Sequence, residues 1–165
     1  AAEAAGVPLI ALVRPPWRPG PGDTWTRAAD IPAAVAGLAG PPARVFLALG
    51  RLHLAAFAAQ PQHHYLLRLV DPPDAPPLLP DTTLVIARGP FTEAGDVALL
   101  RDHGIERIVA KNAGGAGSEA KLAAARTLGL PVILIDRPAA PPRREVGSVA
   151  EVLDWLDHGA TARGV

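Results

Sequence analysis

The sequence predicts an α/β protein with a mostly parallel sheet and helices on both faces. Three observations lead to this prediction. Short apolar runs alternate with stretches of helical period from residue 43 onward. The apolar runs are of the kind found in strands that helices cover on both sides. Gly104 and Gly129 stand at the ends of two helical stretches, where helices commonly stop. Such an arrangement is Rossmann-like or flavodoxin-like.

The first 40 residues are predicted to contain one strand and one helix. Residues 7–13 form a short apolar run, which predicts a buried strand. Residues 15–26 are rich in Pro and Gly and predict a loop. A helix is predicted over residues 31–38, with Asp30 as its N-cap and a proline in its first turn. The Gly-Pro-Pro sequence at residues 40–42 predicts a linker.

Strand and helix predictions alternate through the rest of the chain. The predicted strands cover residues 45–49, 65–70, 84–87, 108–110 and 132–135, and the predicted helices cover residues 52–59, 93–103, 118–128 and 149–157. We therefore predict three parts: residues 1–40 as the remnant of an N-terminal Rossmann-like domain with its linker, residues 43–158 as a C-terminal Rossmann-like domain, and residues 159–165 as a tail. The chain has no Met, so residue 1 is expected to lie inside a longer gene product.

The composition excludes several classes of function. Lys plus Arg equal Asp plus Glu at 16 each, and like charges do not cluster, so no nucleic-acid partner is expected. The absence of Cys excludes disulfides, thiolate catalysis and Cys-ligated metals, and no metal site is predicted. No apolar run approaches the ~20 residues of a membrane-spanning helix. We therefore expect a soluble, cytoplasmic protein without a membrane partner.

Ligands of parallel α/β sheets bind at the loops that leave the carboxyl ends of the strands. Gly50 and Arg51 follow the first strand of the second part. The glycine would let a ligand approach the backbone, and the arginine offers a donor fork for phosphate or carboxylate. A tight turn with a solvated arginine is the alternative. Arg68 and Asp71 close the next strand, where they either pair with each other or contact a ligand.

The strand at residues 84–87 is followed by Arg88, Gly89, Pro90, Phe91 and Thr92. Thr92 is suited to be the N-cap of the next helix. Gly89 and Pro90 would form a rigid bend. Phe91 would lie at the top of the sheet, where it either stacks on a ring or fills the end of the domain.

The loop at residues 111–118 carries the strongest signal for a ligand. Gly114, Gly115 and Gly117 would expose successive backbone N–H groups, and Ser118 is predicted to be the N-cap of the next helix. The N-terminus of a helix attracts anions. These are the parts of a phosphate site, although the loop is neither a P-loop nor the Gly-x-Gly-x-x-Gly fingerprint.

The lysines point to the same loop. The chain has two lysines, Lys111 and Lys121, and one asparagine, Asn112, all within eleven residues. With Ser118 as N-cap, Lys121 would occupy position N3, where a cation opposes the helix dipole unless an anion lies nearby. Glu119 could offset the charge instead. The pattern favours an anion-binding loop.

Several segments occur in the same order in one known family. They cover residues 14–17 (Arg-Pro-Pro-Trp), 50–57, 68–71, 88–91, 111–115 (Lys-Asn-Ala-Gly-Gly), 119–122, 130–132 and 137–138. Through them the chain resembles the precorrin-6A reductases of cobalamin (corrin-ring) biosynthesis. It departs from that family at Ala113, where the family usually has Ser, and it does not contain the family's opening Gly-Gly-Thr segment.

The resemblance implies two Rossmann-like domains with NADPH in the cleft between them. The activity implied is the NADPH-dependent reduction of precorrin-6A, a carboxylate-rich tetrapyrrole, to precorrin-6B, or of a cobalt-bearing substrate in the anaerobic branch. Other corrin-pathway enzymes are candidate partners. Because the opening segment is not in this chain, the isolated chain is expected to be inactive. Hydride transfer is the chemistry of the cofactor, and no catalytic residue is assigned.

The loops and the resemblance together predict two groups of site residues. The predicted cofactor-binding residues are Gly50, Arg51, Gly89, Pro90, Phe91, Lys111, Asn112, Gly114, Gly115 and Ser118. The predicted substrate-binding residues, which could equally hold the 2′-phosphate of the cofactor, are Arg14, Trp17, Arg68, Lys121 and Arg137. NADPH is expected to bind better than NADH because Arg and Lys gather in these loops while acidic residues do not.

Two other interpretations stay open at this point. One is a non-catalytic α/β module that binds phosphate or a nucleotide through the same glycine-rich loop. The other is a remnant that folds only with a missing partner segment.

Overall fold

Six parallel strands form the main sheet of the protein. The computed structural model describes residues 5–161. The strands are β1 (Ile10–Leu12), β2 (Trp25–Ala28), β3 (Arg44–Ala48), β4 (His64–Leu69), β5 (Thr82–Ile86), β6 (Arg107–Lys111), β7 (Val132–Ile135) and β8 (Arg144–Val146). The helices are α1 (Ile31–Ala36), α2 (Glu93–Asp102), α3 (Ala120–Leu128) and α4 (Val149–Thr161), with 3-10 helices at Arg51–Ala59 and Ala116–Ser118.

The strand order in the main sheet is β2-β7-β6-β3-β4-β5. The four central strands are almost wholly buried, because α1 and the first 3-10 helix cover one face while α2 and α3 cover the other. Continuous apolar sequence in these strands is the direct consequence of burial on both faces. The structure confirms the predicted fold class.

The order of the strands reverses between β3 and β6. From β3 the chain proceeds through β4 to β5 in one direction, and it then crosses back to place β6 on the other side of β3. The loops after β3 and β6 therefore diverge to opposite faces and leave a crevice at the carboxyl edge of the sheet. In open α/β sheets, ligands bind at this kind of position.

The described chain divides into two units at points that differ from the predicted domain boundaries. The larger unit is Trp17–Pro138, and the smaller one combines the segments before and after it. β2 and α1 belong to the larger unit because β2 pairs with β7, although the sequence analysis assigns both to the remnant. In the smaller unit β1 pairs in parallel with β8, and α4 contacts β1.

Several predicted elements need correction. Two strands, β2 and β8, were not predicted. β2 is a four-residue edge strand next to a Pro- and Gly-rich segment, which gives it little pattern of its own. β1 is not a buried strand, because Leu12 is 51% exposed. The predicted helix at residues 52–59 is a 3-10 helix, in which Leu54 and Phe57, three residues apart, share the buried face. Residues 159–161 of the predicted tail continue α4, and residues 162–165 lie outside the described part.

The structure confirms two of the three predicted N-caps. Asp30 accepts a hydrogen bond from the backbone of Ala33, and Thr92 does the same for Gly95, so both predicted N-caps are confirmed. Ser118 is not the N-cap of α3. That position belongs to Glu119, whose side chain makes no capping bond, and Ser118 ends the preceding 3-10 turn. Lys121 is consequently the second residue of α3 rather than the third.

Candidate functional site

The crevice between β3 and β6 is bridged by two side chains. Gly50 and Arg51 follow β3 and open the 3-10 helix, and Lys111 ends β6. The Lys111 ammonium donates to Nε2 of His53 over 2.6 Å, which links the two diverging loops. A Cβ added to Gly50 would have no atom within 4 Å, and its φ of −73° suits any residue. The fold itself therefore does not require a glycine at position 50.

Trp17 forms hydrogen bonds with the glycine-rich loop that follows β6. The Asn112 side chain accepts from the backbone N–H of Trp17 over 2.8 Å and donates to its carbonyl over 3.1 Å. The Trp17 indole N–H donates to the carbonyl of Gly115 over 3.0 Å. Gly114 and Gly115 have φ values of 67° and 75°, a left-handed conformation that favours glycine. Asn112 thus organises the loop, with both polar atoms of its amide bonded to protein.

Arg137, which follows β7, also forms hydrogen bonds with this loop. Its guanidinium donates to the carbonyls of Asn112 and Ala113, both over 2.8 Å. These bonds constrain the backbone of the glycine-rich loop. The side chain predicted to contact substrate therefore supports the loop.

Arg68 lies in a buried cluster at the end of β4. Its guanidinium forms an ion pair with Asp96 of α2, and the side chains are only 11% and 3% exposed. The guanidinium carbon lies 3.7 Å from the centroid of the Phe91 ring and 5.2 Å from that of Phe46. Phe91 thus stacks on Arg68. Asp71 pairs instead with Arg88 at the surface, so the Arg68–Asp71 pair is not formed.

Lys121 is the second cation of this cluster. Its residue is only 9% exposed, its ammonium donates to the carbonyl of Ser118, and it lies 5.0 Å from the centroid of the Trp17 ring. Burial, followed by the positive charge of Arg68, lowers the pKa of Lys121 to about 8, against a smaller opposite effect of Asp96. The protein therefore keeps an ammonium in surroundings that disfavour its charge.

Two cavities flank the sheet edge on opposite faces. A cavity of about 180 Å³ on the side of α2 and α3 is lined by Phe46, Ala48, Leu49, Arg68, Phe91, Asp96, Ser118, Ala120 and Lys121. A cavity of about 340 Å³ on the side of α1 is lined by residues that include His53, Lys111, Ala113, Ile135 and Arg137. The loop at residues 111–118 lies between them, so one loop contributes to both.

Most predicted site residues meet at this edge of the sheet. The end of β6 and the segments that directly follow β3, β5 and β6 contain all ten predicted cofactor-binding residues, and Gly89 and Pro90 are joined by a cis peptide bond. Trp17, Arg68, Lys121 and Arg137 support or line the same region. Arg14 belongs to the smaller unit. Whether these residues bind a ligand stays a prediction.

Sequence reasoning missed two important side chains. Asp96 lies in the predicted helix at residues 93–103 and is not among the predicted site residues, although its buried carboxylate pairs with Arg68. His53 is not among the predicted site residues, yet its ring accepts a hydrogen bond from the Lys111 ammonium. A polar residue on the otherwise apolar face of α2 was the one signal that could have identified Asp96.

Replacing Lys121 by Met is expected to stabilise the protein near neutral pH. Because folding lowers the lysine pKa from 10.5 to about 8, the unfolded chain binds more protons between these values, and the stability of the wild-type protein rises with pH there. Lys121→Met should therefore raise the free energy of unfolding by about 1–3 kcal/mol at pH 7. Urea denaturation should show this gain shrinking towards pH 10. If Lys121→Met instead lowers the free energy of unfolding at pH 7, the contacts of the lysine stabilise the fold by more than its desolvation costs.

None of the described helices is both long enough and apolar enough to span a membrane. Within residues 5–161, no three His, Asp or Glu side chains are grouped so that they could hold a metal ion.

Comparisons with known proteins agree with this architecture. Residues 1–157 match the family described as precorrin-6x reductase CbiJ/CobK. A precorrin-6A reductase of Rhodobacter capsulatus is 63% identical over 161 residues, which cover 97% of this chain and 64% of the relative. A precorrin-6A reductase of a Sinorhizobium species is 47% identical over 158 residues, covering 96% and 60%.

A solved structure gives the same result in three dimensions. The protein named CobK precorrin-6A reductase superimposes with a TM-score of 0.93 at 61% sequence identity, covering 96% of this chain and 66% of that one. The chain thus spans just under two thirds of the length of these relatives. By its sequence match over almost its whole length, the chain belongs to the precorrin-6x reductase CbiJ/CobK family.

Proposed function

We propose that this chain forms part of an NADPH-dependent reductase that converts precorrin-6A to precorrin-6B in cobalamin biosynthesis. One observation carries the proposal beyond family membership. The glycine-rich loop that follows β6 begins at the point where the strand order reverses, next to Gly50 and Arg51 after β3. This is where open α/β sheets bind nucleotides.

The residues at this edge fit a dinucleotide phosphate. Gly114 and Gly115 turn the backbone in a conformation that larger residues resist, and Gly50 leaves open space where a side chain would stand. Lys111 and Arg51 supply positive charge. When bound, NADPH would supply the hydride. The chain's own residues would hold the phosphates, orient the nicotinamide and exclude water from the crevice.

A preference for NADPH over NADH is part of the proposal. The expectation that acidic residues are absent from the loops after the strands needs correction. Three aspartates do follow strands: Asp30, Asp71 and Asp136. Each already has a partner, because Asp30 caps α1, Asp71 pairs with Arg88, and Asp136 pairs with Arg27. These hydrogen bonds and ion pairs compete with binding of the ribose hydroxyls that mark an NAD site.

Titration of the protein with NADPH and with NADH tests the proposal. We expect tighter binding of NADPH at one fixed salt concentration. Lys111→Ala should weaken NADPH binding by about 1.5–3 kcal/mol, the range for a hydrogen bond to a charged group, with almost no change in thermal stability. Arg107→Ala is the matched control, since it removes a cation from the opposite end of β6 and should leave binding unchanged.

The outcomes separate this proposal from a non-catalytic module. Equal affinity for NADPH and NADH would contradict the cofactor preference. A module that binds phosphate alone would bind inorganic phosphate and NADPH equally well. If Lys111→Ala lowers the melting temperature but leaves NADPH binding intact, the lysine is structural and does not hold the phosphates.

We also propose that the smaller unit is part of a second Rossmann-like domain. Its sheet has two parallel strands, fewer than an independent sheet needs, and Leu9, Leu12, Leu153 and Leu156 are each at least half exposed. A partner surface would bury these side chains. Hydrogen exchange measures this directly: the amides of α4 should exchange much faster than those of β6, and equal protection would show that the unit is stable alone.

A further inference from the structure

The strand β5 forms one edge of the main sheet. It pairs with β4 on one side, and no described strand pairs with its other side. The backbone N–H of Ala87, directly after β5, donates to the carbonyl of Leu69 in β4. Because successive peptide groups of a strand point to alternate sides, Thr82, Leu84 and Ile86 direct their N–H and carbonyl groups away from β4. These groups are therefore available to another strand.

The residues of β5 do not protect this edge. Edge strands often carry charged residues or Pro, which discourage pairing with another chain. β5 has neither, since its sequence is Thr-Thr-Leu-Val-Ile. The strand at the other edge of the main sheet, β2, carries the exposed and charged Arg27. Of the two edges, the one formed by β5 is thus the one suited to pairing.

Two apolar side chains of β5 are also exposed. Leu84 and Ile86 lie on the face opposite Val85, which packs against the buried cluster under α2 and α3. Residues 70–81 connect β4 to β5 without a helix, although parallel strands are usually connected by one. The side chains that such a helix would cover therefore remain at the surface.

An antiparallel second copy of β5 fits this edge. A two-fold axis at Leu84 places Leu84 opposite Leu84 of the second copy, and Thr82 opposite Ile86 of the second copy. These are the residues whose peptide groups point outward, so each pair can exchange two hydrogen bonds. On the other face Thr83 lies opposite Val85. Every cross-strand pair is thus apolar or β-branched, and no like charges oppose each other within the strand.

The residues that flank β5 are complementary in charge. Asp81 precedes the strand and Arg88 follows it, and both stay largely exposed although they pair with His64 and Asp71 of the same chain. The antiparallel arrangement brings the acidic end of one strand next to the basic end of the other. A parallel arrangement would place like charges together, so the flanking charges favour the antiparallel one.

We propose that β5 is the contact strand of a homodimer, in which the main sheets of two copies join into one continuous sheet. The contact strand is short, so the dimer is weak and reversible, at the lower end of the sizes of specific interfaces. The crevice between β3 and β6 lies two strands away from β5, and the dimer leaves it open. The proposal does not rest on the proposed reductase activity.

Disulfide trapping tests this register, because the chain has no cysteine of its own. Opposite residues of a hydrogen-bonded antiparallel pair have Cα atoms about 5.5 Å apart, within the range that a disulfide spans. Leu84→Cys should therefore give a covalent dimer under mild oxidation. Thr82→Cys should not, since the two copies of residue 82 would be about 14 Å apart. A mixture of Thr82→Cys and Ile86→Cys should again give the covalent dimer.

Sedimentation velocity measures the association of the protein without a cross-link. Its sedimentation coefficient should rise with protein concentration. Leu84→Lys should weaken the association at least about tenfold, because it places two like charges opposite each other at the axis. The matched control is Thr26→Lys, which adds the same charge at an exposed position of β2 and should leave the association unchanged. Circular dichroism shows whether each variant is folded.

Three results would overturn the proposal. If Thr82→Cys cross-links as readily as Leu84→Cys, the two copies do not meet in this register. If folded Leu84→Lys associates like the wild-type protein, the dimer uses another surface. If the protein sediments as a monomer at every concentration and Leu84→Cys does not cross-link, β5 is not a contact strand. NADPH binding is measured independently of all three, so the proposed function is tested separately.

Discussion

Asp96→Asn is expected to lower the free energy of unfolding by about 3–5 kcal/mol, the cost of leaving a buried partner charge unpaired. The change keeps the shape of the side chain but removes the carboxylate that pairs with Arg68, whose side chain is 11% exposed. It also removes the negative charge that partly offsets Lys121. Urea denaturation followed by circular dichroism measures the effect.

A surface aspartate provides the matched control. Asp136→Asn removes the partner of Arg27, whose side chain is 72% exposed, and should cost less than about 1 kcal/mol. Adding Lys121→Met to Asp96→Asn should recover part of the lost stability, because one of the two unbalanced cations is then gone. If Asp96→Asn and Asp136→Asn lower the free energy of unfolding equally, water reaches the Arg68–Asp96 ion pair.

Gly115→Val is expected to weaken NADPH binding by at least about tenfold, or 1.4 kcal/mol. The φ of 75° at this position is costly for a residue with a branched Cβ, so the loop must strain or move. Movement would also break the bond from the Trp17 indole to the Gly115 carbonyl. Fluorescence titration with NADPH measures the loss, and thermal denaturation measures the strain.

Gly117 lies in the same loop and serves as the control. Its φ is outside the left-handed range, and a Cβ there would meet no atom within 4 Å. Gly117→Val should therefore leave the melting temperature nearly unchanged, whereas Gly115→Val should lower it. If Gly115→Val binds NADPH as well as the wild-type protein does, the cofactor does not approach this turn.

The strongest signals in the sequence were the local ones. The apolar runs of β3, β4, β6 and β7 could be recognised because burial on both faces leaves no room for polar residues. The N-caps Asp30 and Thr92 could be recognised because a cap satisfies a backbone N–H only three residues away. β2 was missed, since a four-residue edge strand beside Pro and Gly has little pattern of its own.

Ser118 shows where a local rule fails. Serine before a helical stretch is a good N-cap signal, yet α3 begins two residues later. The carbonyl of Ser118 accepts a hydrogen bond from the Lys121 ammonium. Trp17 and Arg137 donate hydrogen bonds to other carbonyls of the loop. The serine carbonyl rather than its hydroxyl is thus engaged next to the helix start, and the preceding loop is bound by residues distant in sequence.

By itself the sequence determined the fold class, the principal helices and strands, and the loops that follow the strands, because each of these depends on residues within a few positions of one another. Only the tertiary structure decided the order of the strands and the partners of the buried polar groups. Asn112 binds the backbone of Trp17 across 95 residues, and Arg68 pairs with Asp96 across 28. Such pairs form because burial makes an unpaired polar group costly, and burial is a property of the whole fold.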